Sequence, residues 1–226
     1  MTKLASLTHR DVQYTDHKTG VPALLGDFNA SMANHEMTIL YEEGLYRHLR
    51  FRNPTNSFYW YDLITWPGCL TITGDMGTYT FRRVEDMFQF FQGYINTGYW
   101  AEKLQNGDSG GRSQVKNYDE DLFKQWVVQD FWETSRDMDA TKSRIWWHTI
   151  KDEVLDGWVD TTNAHAALSA LAEVDRTQVA PLNHYADAWE AAEGWTRYDW
   201  HFEYCLAAVL TGVRTYEVHK QEETAA

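Results

Sequence analysis

The sequence predicts an α+β fold in which a four-stranded antiparallel meander is covered by C-terminal amphipathic helices. Three observations carry that reading. Residues 45–83 alternate with a period of two and are cut by short turn signals. After Arg83 the apolar spacing changes to the helical period and keeps it. No linker or internal repeat separates the two stretches, so strands with one apolar face and helices with one apolar stripe can bury each other. Residues 1–226 therefore read as one domain: an irregular arm at 1–38, the sheet at 45–83, a helical part at 84–218 and a polar tail at 219–226.

In the first strand, Leu45, Arg47, Leu49 and Phe51 alternate with Tyr46, His48, Arg50 and Arg52. Asn53-Pro54-Thr55-Asn56 supplies a turn. Ser57–Trp66 is dense in aromatic and β-branched residues and reads as a second strand, with Phe58, Trp60, Asp62 and Ile64 on one face. Cys69–Thr73 and Thr78–Arg82 are the third and fourth, joined by Gly74-Asp75-Met76-Gly77. The expected buried face is Leu49, Phe51, Phe58, Trp60, Leu70, Ile72 and Phe81, with Trp60 as an anchor. Downstream, Val84, Met87, Phe88 and Phe91 share a stripe. Asn106–Ser113 reads as a mobile loop. Asn117 with Glu120 caps one helix, Asp139 the next, Thr161 or Thr162 a third and Asp199 the last. Phe202, Leu206, Val209, Leu210 and Val213 form a strong apolar face on that final helix.

Composition narrows the class. A 43% hydrophobic and 23% charged chain has enough core material to fold. No apolar run approaches the ~18 residues of a membrane helix, and the N-terminus lacks a signal-peptide core. The two cysteines, Cys69 and Cys205, make neither a disulfide framework nor a four-thiolate zinc site, so a reducing cytoplasm is the expected compartment. Charge is split unevenly. Residues 1–83 hold eight basic and eight acidic residues, whereas 84–226 hold twelve and twenty-five, which places the whole net charge of −13 in the second stretch. Such acidity disfavours nucleic acid and anionic membranes and favours basic protein surfaces. The run Asp119, Glu120 and Asp121 is its candidate contact.

The runs Tyr61-Asp62-Leu63-Ile64-Thr65-Trp66-Pro67-Gly68, Thr71–Phe81, Glu85–Phe91 and Tyr99–Gln105 resemble a family of uncharacterised proteins encoded by bacteriophages and prophages. The likeness covers roughly 36–135 and the Trp200–Tyr216 segment. It implies a small phage accessory protein that binds and modulates a host protein, antagonism of host defence being one form of that role. It carries no assigned catalytic residues.

Candidate chemistry is sparse. Alternation gathers His48, Arg50 and Arg52 with Tyr59, Tyr61 and Arg82 on one sheet face, alongside Thr71, Thr73, Thr78 and Thr80. Cations, phenols and hydroxyls in that arrangement suit a nucleotide-like anion or a protein partner. Asp75, between two glycines, is a candidate base or ligand, although the motif lacks the Gly-Lys-Ser/Thr ending of a phosphate loop. No cofactor and no metal site is expected, because the nine histidines form no paired ligand motif. The expected function is thus host-protein binding, the alternative being a small enzyme or ligand-binding protein that uses the basic sheet face.

Overall fold

The structure, a computed structural model, describes residues 2–12, 21–105 and 115–225. It is α+β and divides into two compact units, Met1–Val115 with Tyr198–Ala226, and Lys116–Arg197.

The first unit holds a six-stranded, fully antiparallel sheet in the order β1 to β6, the strands being Thr2–Lys3 (β1), Glu36–Glu43 (β2), Tyr46–Arg52 (β3), Tyr61–Trp66 (β4), Cys69–Gly74 (β5) and Gly77–Arg82 (β6). The four expected strands are its inner and far members. The two at the other edge were not expected, because β1 is only two residues long and β2 lies across the boundary of the supposed arm. That arm also contains a helix, Val21–Met32 (α1). Glu36-Met37-Thr38-Ile39 does alternate, but a bulge between Ile39 and Tyr41 breaks the period at Leu40.

Registers Leu49↔Leu63, Leu63↔Ile72 and Leu70↔Phe81 put one apolar row after another on the core face. Leu49, Phe51, Leu70, Ile72 and Phe81 are buried as expected. Phe58 and Trp60 are corrections: Phe58 is 69% exposed and Trp60 half-buried. The strand begins at Tyr61 rather than Ser57 because Tyr59 takes a left-handed backbone, φ 57°, that ends extended chain. Restarting there inverts the faces, so that Tyr61, Leu63 and Thr65 point inward and Asp62 and Ile64 outward. Gly74 sits under this restart. A Cβ on it would lie 2.2 Å from the Trp60 carbonyl oxygen, so close approach, not a positive φ, requires this glycine.

The cover of the core face is chiefly one helix, Trp200–Ala225 (α7 in chain order), which Asp199 caps by accepting from the His201 and Phe202 N–H groups. It runs through the stretch read as a polar tail. From Tyr204 to Val213 every residue is buried, so it is a central helix, apolar all round, rather than an amphipathic one. Gly212 lets it approach the sheet: a Cβ there would meet Leu63 at 2.6 Å and Phe51 at 3.0 Å. Phe28 of α1 packs edge-on against Tyr204. Two short helices, Met87–Phe90 (α2) and Thr97–Ala101 (α3), close the rim, capped by Asp86 and Asn96.

The second unit is helical: Glu120–Ser135 (α4), Ala140–Ile150 (α5) continued by one π turn to Leu155, Ala164–Arg176 (α6) and a 3₁₀ segment at Ala188–Trp195. Strands Lys116–Tyr118 (β7) and Thr196–Tyr198 (β8) pair as a two-stranded sheet. Phe123, Trp146, Ile150, Val154, Leu171 and Trp195 are fully buried. Asp139 caps α5 as expected, whereas the caps of α4 and α6 are Asp119 and Asn163, not Asn117 and Thr161 or Thr162. The loop expected at 106–113 lies outside the described residues.

Candidate functional site

The outward face of the six-stranded sheet collects most of the residues singled out above. At its centre is Asp62, only 4% exposed. Arg50 stands directly opposite it across β3 and β4. The guanidinium donates from Nε to Oδ1 at 2.9 Å and from Nη2 to Oδ2 at 2.8 Å. His48 Nε2 reaches Oδ2 at 2.8 Å. Burial pushes the Asp62 carboxyl up, but Arg50 and then His48 outweigh it and hold the group below its ordinary pKa. Arg50 in turn titrates above its usual range because of Asp62. Sequence reasoning placed Asp62 on the buried face and missed this role. Its signal was the register, in which two strands set a carboxylate opposite an arginine.

Around this cluster the hydroxyls pair with one another, Thr71 with Thr80 at 2.9 Å and Thr73 with Thr78 at 2.8 Å. One step beyond Arg47↔Thr65, Tyr46 and Trp66 face outward in the same row. Tyr46 is 54% exposed, Trp66 38%, and Tyr41, in the His48 row, 51%. That row also carries Ile64. These aromatics were not proposed as binding residues, although Tyr46 alternates in phase with His48 and Arg50 and was legible for that reason.

Arg52 and Arg82 are exposed and make no ion pair among the described residues. Arg52 stands beside Arg50 on the same face, two residues along β3, but Arg82 does not join them. Arg82 lies on β6, three strand steps from β3 and displaced by two side-chain rows, which sets it roughly 20 Å from Arg50 at about 4.8 Å per strand and 3.3 Å per residue. Tyr59 and Tyr61 leave the face altogether. Tyr61 is buried and stacks on Phe51, and Tyr59 stacks on Tyr204. Burial drives the Tyr61 hydroxyl far above the usual phenol pKa. Asp75 is exposed in the β5–β6 hairpin, where its N–H donates to the Trp60 carbonyl at 3.1 Å; Gly77, φ 112°, completes the turn.

The acidic candidates sit in the second unit. Asp119 is the α4 cap and ion-pairs with Arg197 at 2.7 Å. Glu120 pairs with Lys124 at 2.7 Å and accepts from the Thr161 hydroxyl at 2.6 Å, which lowers its pKa. Asp121 alone of the three is exposed. Two of these charges are thus engaged inside the fold.

Other reactive groups are sequestered. Cys69 and Cys205 are free and buried, and burial raises the Cys205 thiol to about 12. Among the described residues no group of three or more His, Cys, Asp or Glu side chains is placed to hold a metal ion. No described helix is long and apolar enough to cross a membrane. No protein-family model, curated protein or solved structure matches the chain.

Proposed function

We propose that this is a binding protein that captures another protein on the outward face of its six-stranded sheet, a phage-encoded modulator of a host protein in keeping with the resemblance in sequence. The observation that carries the proposal is the exposed end of that face, where Tyr41, Tyr46 and Trp66 stand beside Ile64, flanked by His48 on one side and Arg82 on the other. Tyr, Trp and Arg dominate the energetic centres of protein interfaces, because each offers large apolar area with a polar handle. The scaffold is rigid, since Asp62 locks His48 and Arg50 before any partner arrives. A small anion is the weaker occupant. Arg50 is already neutralised by Asp62, and the unpaired arginines are too far apart to grip one phosphate.

The test is capture from host lysate by the immobilised protein, compared with a Tyr46→Ala/Trp66→Ala variant shown to be folded by its thermal melt. Loss of the captured protein by at least about tenfold, as expected for truncating two interface anchors, supports the site. Capture that survives this variant but is lost on neutralising Asp119, Glu120 and Asp121 moves the contact to the acidic unit. Saturable binding of a nucleotide, abolished by Arg52→Ala or Arg82→Ala, replaces the protein-binding reading with the small-ligand one.

A further inference from the structure

His35 lies in the turn between α1 and β2, away from the sheet face described above, and is only 1% exposed. Its backbone N–H donates to the Met32 carbonyl at 2.9 Å, but neither ring nitrogen closes a hydrogen bond among the described residues. The backbone at Phe58, Tyr59 and Ser31 and the carboxylate of Asp75 surround the ring. These backbone groups favour the protonated ring, so they present carbonyls to it. The other titratable groups packed there are Tyr59 itself, Tyr204 of α7, which stacks on Tyr59, and Asp27 of α1, which faces Tyr204. A neutral imidazole has one N–H and one lone pair. Among carbonyls that lone pair finds no donor, whereas the imidazolium has two donors to offer and no water to solvate its charge. The segment over the ring is also held from its other side. Asp75 N–H donates to the Trp60 carbonyl at 3.1 Å, and Gly74 packs directly against Trp60 and Tyr61 backbone. Between the two, Tyr59 keeps its φ of 57°, which a bulky aromatic residue adopts only where its surroundings impose it.

We infer that His35 is an acid-sensitive latch: its neutral ring holds Phe58–Trp60 in the strained path that starts β4, and its protonation releases that segment to solvent. A charge cannot stay dry in this niche. The least costly way to wet it is to lift residues 57–60, where Phe58 is already exposed and Tyr59 sheds its left-handed backbone on leaving. Asp75 opposes the release, because its carboxylate favours the charged ring. Burial outweighs it, together with the carbonyls of Phe58 and Tyr59, and holds the imidazole below its ordinary pKa. A base with a lowered folded pKa binds its proton more readily once the segment has opened. The latch is therefore intact above the ordinary imidazole value of about 6.5 and weakens as pH falls from there toward the folded value. The segment carries Trp60, whose ring lies 5.8 Å from the Arg50 guanidinium, so opening reaches the outward face of the sheet. A proton and a strained segment of two alternative paths are the only parts such a device requires.

The test uses the purified protein and its amide hydrogen exchange, corrected for the intrinsic effect of pH. Between pH 7 and pH 5 the amides of Phe58–Tyr61 and of Asp75 are expected to exchange faster by on the order of tenfold, while Leu49 and Leu63 in the paired strands keep their rates. His35→Gln, folded by circular dichroism and neutral at both pH values, is expected to lose this acid response. The His35 ring protons of the wild type, followed by NMR, are expected to titrate below about 6.5, which decides the matter if the variant fails to fold. Unchanged exchange at Asp75 and Phe58–Tyr61 in the wild type overturns the inference. So does equal quickening throughout the sheet, an acid response that persists in folded His35→Gln, or a His35 midpoint at or above the ordinary value. Trp66→Ala is expected to keep the acid response, so failure of the latch and failure of the proposed partner face are separately visible.

Discussion

On the inward face of the sheet Leu49, Phe51, Leu63, Leu70 and Phe81 are sealed beneath α7, and Arg47 on that side is sealed with them while its partner Asp86 keeps a partly exposed edge. On the outward face His48, Arg50 and Trp66 of the same strands form a half-wet surface around the buried Asp62 carboxylate. Both faces contain a bidentate arginine–carboxylate pair, and the difference between the two pairs is instructive. Arg47 is 9% exposed and lies over the Phe88 and Tyr216 rings, at 4.6 and 5.4 Å from their centroids. Arg50 keeps 43% of its side chain exposed. The same ion-pair geometry therefore supports a core on one side and presets a surface on the other, because the dielectric around the cation differs.

The sharpest way to break this comparison is to cut into the inward face. Phe51→Ala should cost about 3–5 kcal/mol, by lost burial plus the cavity left between Tyr61 and Gly212. Gly74→Ala should cost about 1–3 kcal/mol, because the new methyl presses on backbone at Trp60 and Tyr61 and one strand must shift. Urea denaturation of each variant checks both, and wild-type midpoints would show that the inward packing is not the source of stability.

The two ion pairs sharpen the comparison through pH. Asp86 and Asp62 both titrate below the ordinary carboxylate value in the folded protein: burial raises each, and Arg47 or Arg50 more than compensates. A lowered folded pKa contributes stability that is present above the unfolded value, about 3.9, and is lost as pH falls through the folded value. Asp86→Asn strands a buried guanidinium and should cost about 3 kcal/mol at pH 6. Asp62→Asn leaves a guanidinium that can turn to water and should cost about 1 kcal/mol. Both penalties should shrink from pH 6 toward pH 2, as the pH falls through the ordinary carboxylate value and on toward the lowered folded values. Urea midpoints at the two pH values read this directly, and equal penalties for the two variants would remove the distinction between the faces. Smallest of all, Trp66→Ala on the outward face should change stability by less than about 1 kcal/mol while weakening partner capture. A large loss of stability would make Trp66 a structural residue.

The elements that sequence reasoning recovered are those whose signals are local. The alternation of Leu49 and Phe51 with His48 and Arg50, the breaks at Pro67-Gly68 and Gly74–Gly77, and the caps at Asp139 and Asp199 depend only on residues a few positions apart. The failures share a different cause. In Tyr59–Trp66 both alternating sets are apolar enough to face a core, so the period cannot choose between them; a single left-handed residue, Tyr59, makes the choice. β2 escaped because its bulge shifts phase in mid-strand. Asn117 and Asp119 are both good caps, and Asp119 takes the role while also pairing with Arg197, some eighty residues on.

By itself the sequence determined the α+β class, the strand-to-helix switch near Arg83, most of the inward row and the uneven distribution of charge, because hydrophobic period and local hydrogen bonding act over a few residues. Only the tertiary structure decided which cations are free. Arg50 and His48 are claimed by Asp62, Arg47 by Asp86 and Asp119 by Arg197, whereas Arg52 and Arg82 are left at opposite corners of a face. It likewise decided that the last helix is a central one. These outcomes depend on strand register and on segments that meet from distant parts of the chain, and the free energy of such meetings appears only once the chain has closed on itself.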